Sequence, residues 1–403
     1  MKALVLAAGS GRNMAPFSET RPKPMIHVAG RPILYRTLSM LKESGFSEVN
    51  LVIGPHADKI ENYFGTGSFM DMTINYNIQK KSSGIGNGIL AAQKRFNPGE
   101  HFLLVYGDIV TEENVISGIL QTFAASKGPT AGICLVPETA SLGNVYLDNA
   151  MNITRIVEKP GRKDMGNYVL AGIYVLPYEF FKILGGCGGD MKKALAVLVK
   201  KERRIKGSIM EKGWVDVAYP WDILAANKMV MDTWQTASIH QSISVRDAKI
   251  KGPVHIEEGV EIRSGAVILG PTFIGRGSYI GNNVLIRKYS SLGPDSVVGF
   301  GVELKNCVLF GKTRVGRLSF VGDSVIGQEV DIGAGTMTIN CNIDNSDIKV
   351  MINNKSVNTK INKLGAFLGD ECILGSGHNI KAGSVIQPQT TIPHHHTFPK
   401  SGR

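Results

Sequence analysis

"IEEGVEIRSGAVILGPTFIGRGSYIGNNVLIRKYSSLGPDSVVGFGVEL", from Ile256 to Leu304, decides the fold of the second half of this 403-residue chain. Ile256, Ile262, Ile268, Ile274, Ile280, Ile286, Leu292, Val298 and Leu304 recur at strict six-residue steps. With 43% of the chain hydrophobic, nine apolar hits in a row would arise by chance about 5 times in 10,000 at a fixed phase. Each hexapeptide reads as a short strand whose aliphatic residue points inward and whose glycine or small residue turns a corner, as in "IGRGSY" and "IGNNVL". Three such strands close a coil, so residues about 18 apart stack above one another in a parallel β-helix. After Phe310 the phase is expected to slip; "VIGQEVDIGAGT" (Val325 to Thr336) and "GAFLGDECILGSG" (Gly365 to Gly377) recover it.

Upstream the rhythm is different. "KALVLAA" reads as a buried strand, "PILYRTLSMLKESG" as an amphipathic helix ending at Gly45, and "EVNLVIG", "HFLLVYGD" and "GICLVP" as further strands. Strand and helix in alternation imply an α/β domain with a mostly parallel sheet covered on both faces. Ligands of such sheets sit beyond the carboxyl ends of the strands, where the "AAGSG" turn and Asp108 fall. The expected division is a first domain over 1–232, a linker over 233–249, the β-helix over 250–393 and a tail over 394–403.

Composition narrows the function classes. The formal net charge of +11 suits an anionic partner, nucleic acid or phosphorylated small molecule. The basic residues are spread out, with "KKERR" (Lys200 to Arg204) the one dense run, and no interleaved aromatics or helix-turn-helix pattern accompany them, so no nucleic-acid partner is expected. The opening "MKALVLAAG" is too short an apolar run for a signal peptide or a membrane span, which points to a cytoplasmic protein without a membrane partner. Five scattered cysteines without C-x-x-C spacing argue against a disulfide framework or a thiolate metal site. The His394 to His396 triplet reads as tail rather than metal site.

"LVLAAGSGRNMAPFSETRPKPM" (Leu4 to Met25) leaves a strand through Gly9 and Gly11, which lets backbone N–H groups approach a phosphate without a Cβ in the way. It is neither a Walker loop nor a complete dinucleotide fingerprint. Followed in order by "VYGD", "IVEKP", "LAGIYV" and "WVDVAYPWD", the stretch resembles the sugar-1-phosphate nucleotidylyltransferases. With the β-helix included, almost the whole chain resembles the archaeal-type relatives of the bifunctional N-acetylglucosamine-1-phosphate uridylyltransferase and glucosamine-1-phosphate acetyltransferase. That resemblance implies a Rossmann-like nucleotidyltransferase domain, a left-handed β-helix, and a homotrimer or dimer of trimers.

It also implies an in-line attack of a sugar 1-phosphate oxygen on the α-phosphorus of UTP or dTTP. Three anionic groups must be brought together, so cations and fixed dipoles matter more than a general base. By resemblance, Asp108 and Asp216 hold Mg²⁺, Lys23 contacts phosphate, and the backbone of Leu6, Ala7, Ala8, Gly9 and Gly11 cradles the nucleotide. Gln79 and Gly84 match the residues that read a pyrimidine, although Gln79 reads equally as a strand-end amide. Gly143, Glu158 and Lys159 match sugar and sugar-phosphate contacts. Leu170 stands where the N-acetylglucosamine enzyme has asparagine, which leaves glucose 1-phosphate and N-acetylglucosamine 1-phosphate both open. The family pattern G-x-G-x-R puts arginine at position 13; here Asn13 occupies it and the guanidinium belongs to Arg12. Either Arg12 bends into that space or the loop is impaired.

In the β-helix, Arg287 and Lys305 match ligand residues of the acetyltransferase and form a candidate anion site. Arg317 stands at the position of its histidine base, Phe320 replaces a tyrosine and Asp331 an asparagine, while Ala334 and Asn340 are retained. A guanidinium does not lose its proton in proteins, so the usual acetyl-CoA mechanism is expected to be absent. A bifunctional enzyme and a non-catalytic sugar-nucleotide-binding subunit are the alternatives to a plain nucleotidylyltransferase.

Overall fold

The computed structural model describes residues 1–9, 11–54, 56–79, 84–135, 143–158, 168–202, 205–245 and 247–395. By contacts the chain forms two compact units: Met1–Ser10, Pro22–Met25 and Ile33–Asp216 in the first; Gly11–Arg21, Ile26–Pro32 and Val217–Arg403 in the second. The expected boundary at 232 follows the change of sequence rhythm, whereas the contacts divide after Asp216.

The first unit is built on nine strands: β1 Lys2–Ala7, β2 Glu48–Ile53, β3 Thr73–Ile78, β4 His101–Tyr106, β5 Thr130–Leu135, β6 Gly143–Leu147, β7 Asn152–Glu158, β8 Tyr168–Pro177 and β9 Ile205–Met210. Their order is β3-β2-β1-β4-β8-β5-β9-β7-β6. Pairing is parallel from β3 through β4 and between β5 and β9. Around β8 it is antiparallel, as it is where β7 joins β9 and β6, a direction that apolar runs do not encode. Successive side chains of a strand alternate faces, and β1 feeds two cores: Ala3, Val5 and Ala7 pack in one, Leu4 in the other. Helix Ile33–Glu43 buries Ile33, Leu34, Thr37, Leu38 and Leu41 on one face. It stops at Gly45, whose φ of +88° suits glycine, with Phe46 N donating to Leu41 O at 3.0 Å.

The second unit is a prism of three parallel sheets with eight, seven and seven strands. Ile256 pairs with Ile274, Ile262 with Ile280, and Ile268 with Ile286, one coil apart, so the aliphatic ladder fills the interior. Ser238–Ile239, within the expected linker, already pairs with Val254–Ile256. The slip does not wait until Phe310. Leu309, not Phe310, stacks on Leu292, because the corner at Asn306 (φ +45°) is one residue short; Phe310 is buried against Phe17 instead, ring centroids 5.1 Å apart. Between Ile326 and its partner Leu368 the chain inserts a hairpin, Lys349–Ile352 with Lys355–Asn358, turned at Asn353 and Asn354 with φ of +49° and +60°. Among the described residues no helix is long and apolar enough to cross a membrane.

Candidate active site

β1 and β4 end side by side, with Leu6 opposite Tyr106. Gly107 N donates to Leu6 O at 2.9 Å, and a Cβ on Gly107 would lie 2.8 Å from that oxygen, so only glycine permits the turn that delivers Asp108. Directly after it, Ile109–Thr111 pairs antiparallel with Trp214–Asp216, placing Asp216 opposite Ile109. Two carboxylates from distant segments thereby become neighbours. Lys23, in the short turn Lys23–Met25, completes the cluster: its Nζ donates to Asp108 Oδ2 at 2.8 Å and lies 3.4 Å from Asp216 Oδ1.

Burial by itself lowers the Lys23 pKa, but Asp108 and then Asp216 outweigh it, and the ammonium ends above its ordinary 10.5. It stays charged at neutral pH. Asp216 is pushed above its ordinary 3.8, first by burial, with the charge of Asp108 adding and Lys23 opposing. One ammonium thus leaves two carboxylates under-compensated, and hard oxygen donors with spare negative charge fit a divalent cation completed by phosphate and water. Among the described residues no cluster of three or more His, Cys, Asp or Glu forms an all-protein metal cage.

The cluster opens into a cleft of about 320 Å³ that also takes in Gly143 and Leu170. A Cβ on Gly143 would sit 3.7 Å from Leu170 Cδ1, so an apolar wall and a bare backbone face each other. Glu158 ends β7 opposite Gly143; Lys159 lies outside the described residues. Gln79 N donates to Ile53 O at 2.8 Å and its Nε2 to Gly84 O at 3.1 Å, where Gly84 (φ +94°) opens helix Ile85–Ala91. Ile85 lines the same cleft. Leu6 and Ala7 finish β1, Ala8 is backed by Gly54, whose Cβ would lie 3.0 Å from Ala8 O, and a Cβ on Gly9 would meet open space.

Lys23, Asp108, Asp216, Gly143 and Leu170 thus share one cleft. Gly11 and Arg12 belong to the second unit, where Asn353 Nδ2 donates to Arg12 O at 3.0 Å. Tyr106, Gly172 and Trp214 also line the cleft, from within the "VYGD", "LAGIYV" and "WVDVAYPWD" motifs, where residue type alone does not mark them as site residues. Gly172 (φ +80°) would set a Cβ 3.0 Å from the Tyr106 ring, and Trp214 Nε1 donates to Ala171 O at 3.1 Å.

Arg287 and Lys305 line a second cleft of about 470 Å³, each already engaged: Arg287 by Glu303 at 2.9 Å, Lys305 by Asp323 at 3.0 Å. Asp323 is buried and also accepts from Asn306 at 2.8 Å and Asn340 at 2.6 Å. Arg317 is exposed. His378 Nε2 stands 2.8 Å from Pro393 O, a tie between coils.

Residues 2–233 match the Nucleotidyl transferase family model and residues 268–399 the GMPPB C-terminal domain model. The chain is similar to a bifunctional sugar-1-phosphate nucleotidylyltransferase/acetyltransferase of Sulfurisphaera tokodaii, 32% identical over 96% of this chain and 94% of that one. It is likewise similar to the bifunctional protein GlmU of Methanocaldococcus jannaschii, 33% identical over 96% and 90%. A solved UDP-glucose pyrophosphorylase from Acinetobacter baumannii shares the fold over 56% of this chain and 91% of its own, at 21% identity and a TM-score of 0.51.

Proposed function

The chain belongs to the nucleotidyl transferase family, and we propose that it carries out Mg²⁺-dependent transfer of a nucleotidyl group from UTP or dTTP to a sugar 1-phosphate, giving an NDP-sugar and pyrophosphate. The observation that carries this reading is the Lys23 ammonium set between Asp108 and Asp216 in a cleft at the carboxyl ends of β1 and β4.

The sugar-phosphate oxygen forms a bond to the α-phosphorus as the bond to the β-phosphate oxygen breaks, and the electron pair leaves with pyrophosphate. Lys23 binds phosphate oxygens and offsets the charge that grows on them. Asp108 and Asp216 would hold Mg²⁺, which would supply charge neutralisation on the phosphates. The loop backbone at Leu6, Ala7, Ala8, Gly9 and Gly11 donates N–H groups to the triphosphate, and Arg12 takes the β- and γ-phosphates. Gln79 and Gly84 receive the pyrimidine; Gly143, Glu158 and Lys159 receive the sugar phosphate. Leu170 beside Gly143 supports a sugar without an N-acetyl group, glucose 1-phosphate before N-acetylglucosamine 1-phosphate, because an apolar wall offers no hydrogen bond to an amide.

Pyrophosphate release with Mg²⁺ across UTP, dTTP, CTP, GTP and ATP, each with glucose, N-acetylglucosamine and glucosamine 1-phosphates, tests the reading. A signal from UTP or dTTP with one of the first two sugars is expected; silence from every pair, with folded protein, contradicts it.

A second activity, acetylation of glucosamine 1-phosphate by acetyl-CoA, is favoured by the likeness, over 96% of this chain, to a relative named as a nucleotidylyltransferase/acetyltransferase. Arg317 speaks against the usual base, and thiol release from acetyl-CoA decides the matter. The prism is the proposed assembly element of a trimer or dimer of trimers, supported by the exposed apolar side chains Phe300, Leu318 and Ile373 on it.

A further inference from the structure

Strand β8 is interrupted beside the cleft. Leu170 pairs with Ile133 of β5 and Tyr174 with Ala131, so four steps along β8 face two along β5 and the strand bulges. Against β4 its pairing starts only at Ile173. Inside the bulge Gly172 takes φ +80° and lays bare backbone on the Tyr106 ring, where a Cβ would come within 3.0 Å. Ala171 is fully buried. Among the described residues neither Ala171 nor Gly172 has a register partner in β4, β5 or β6. A buried carbonyl that has left the ladder needs a donor from elsewhere.

Trp214 supplies that donor: its Nε1 donates to Ala171 O at 3.1 Å, and an indole N–H has no other role in a hydrogen bond. Trp214 stands opposite Thr111 in the same ribbon that sets Asp216 opposite Ile109. The bulge begins directly after Leu170, whose Cδ1 faces Gly143 in the cleft. All of these residues lie in the first unit. We propose that Trp214 is a positioning residue for sugar selection: its indole N–H fixes the bulge, and the bulge sets where the Leu170 wall stands against Gly143. This rests on the function proposed above. The same bond ties the sugar wall to the ribbon bearing Asp216.

Trp214→Phe removes the donor and keeps an aromatic body. Gly172→Ala disturbs the bulge from its other side, through the Tyr106 ring and the left-handed backbone, with the indole intact. Both are compared with the unmutated chain by steady-state kinetics, with glucose 1-phosphate and N-acetylglucosamine 1-phosphate varied in turn against the best nucleoside triphosphate. In each variant KM for the preferred sugar phosphate should rise about three- to tenfold, and the ratio of kcat/KM between the two sugars should move towards one. KM for the nucleoside triphosphate should stay where it was. In a Leu170→Ala background, where the wall is gone, Trp214→Phe should leave the sugar ratio unchanged. If Trp214→Phe does not fold, Gly172→Ala decides by the same ratio. An unaltered sugar ratio, an equal rise in KM for both substrates, or the same shift of ratio with and without the Leu170 side chain would overturn the proposal and leave the functional reading in place. Absence of turnover in the unmutated chain would overturn both.

Discussion

Lys23 Nζ donates to Asp108 Oδ2 across 2.8 Å, joining positions 85 residues apart in sequence. Neither residue reaches the other by local structure. Lys23 is carried by a turn after the glycine-rich loop, Asp108 by the end of a central strand, and the parallel pairing of β1 with β4 brings their segments together. The bond holds one carboxylate against the ammonium, while Asp216, its pKa raised first by burial, lies 3.4 Å from the same Nζ.

Leu170 is the sugar gate on this account. Leu170→Asn places an amide opposite Gly143, where an N-acetyl group needs hydrogen bonds. The ratio of kcat/KM for N-acetylglucosamine 1-phosphate over glucose 1-phosphate should rise by about tenfold or more. An unchanged ratio would remove Leu170 from the sugar site.

The prism carries a pH-sensitive position of its own. His255 stacks on Trp234 with ring centroids 3.7 Å apart, and burial, opposed by a bond at Thr236, pulls its pKa below the ordinary 6.5. Its contribution to stability is complete above 6.5 and is lost as pH falls from there through the lower folded value, because the unfolded chain takes the proton first. Thermal unfolding from about pH 7.5 to about pH 5 should show a smaller loss for His255→Phe than for the unmutated protein. Identical slopes would count against the assignment.

Much of this fold was readable because it repeats. Nine aliphatic residues at six-residue steps specify the coils, and each finds its partner one coil away. The short corner at Asn306 escapes the pattern, since one missing residue leaves apolar candidates at both Leu309 and Phe310; Leu309 stacks on Leu292, and Phe310 packs against Phe17, far away in sequence. The direction of β8 escapes it too, because an apolar run looks the same read up or down. In the site, Lys23, Asp108 and Asp216 were legible from motif context, and their mutual distances were not. That Gly11–Arg21 falls in the prism unit escapes the sequence as well, since Asn353, which donates to Arg12 O, lies 341 residues further on.

Gly86 marks a close approach of backbone. A Cβ there would lie 2.0 Å from Gly189 O, with backbone rather than a pliable side chain in the way. Gly86→Ala should cost about 1–3 kcal/mol in urea unfolding, and a neutral substitution would show that helix Ile85–Ala91 can shift freely.

The most direct test of the central claim is Mg²⁺-dependent pyrophosphate release by Asp108→Asn beside the unmutated chain, with circular dichroism to verify folding. Asparagine keeps the shape but loses the charge that binds both Lys23 and a cation, so a fall of at least about 100-fold is expected. A folded variant that turns over at near the unmutated rate would contradict the assignment of Asp108, and with it the site described at the ends of β1 and β4.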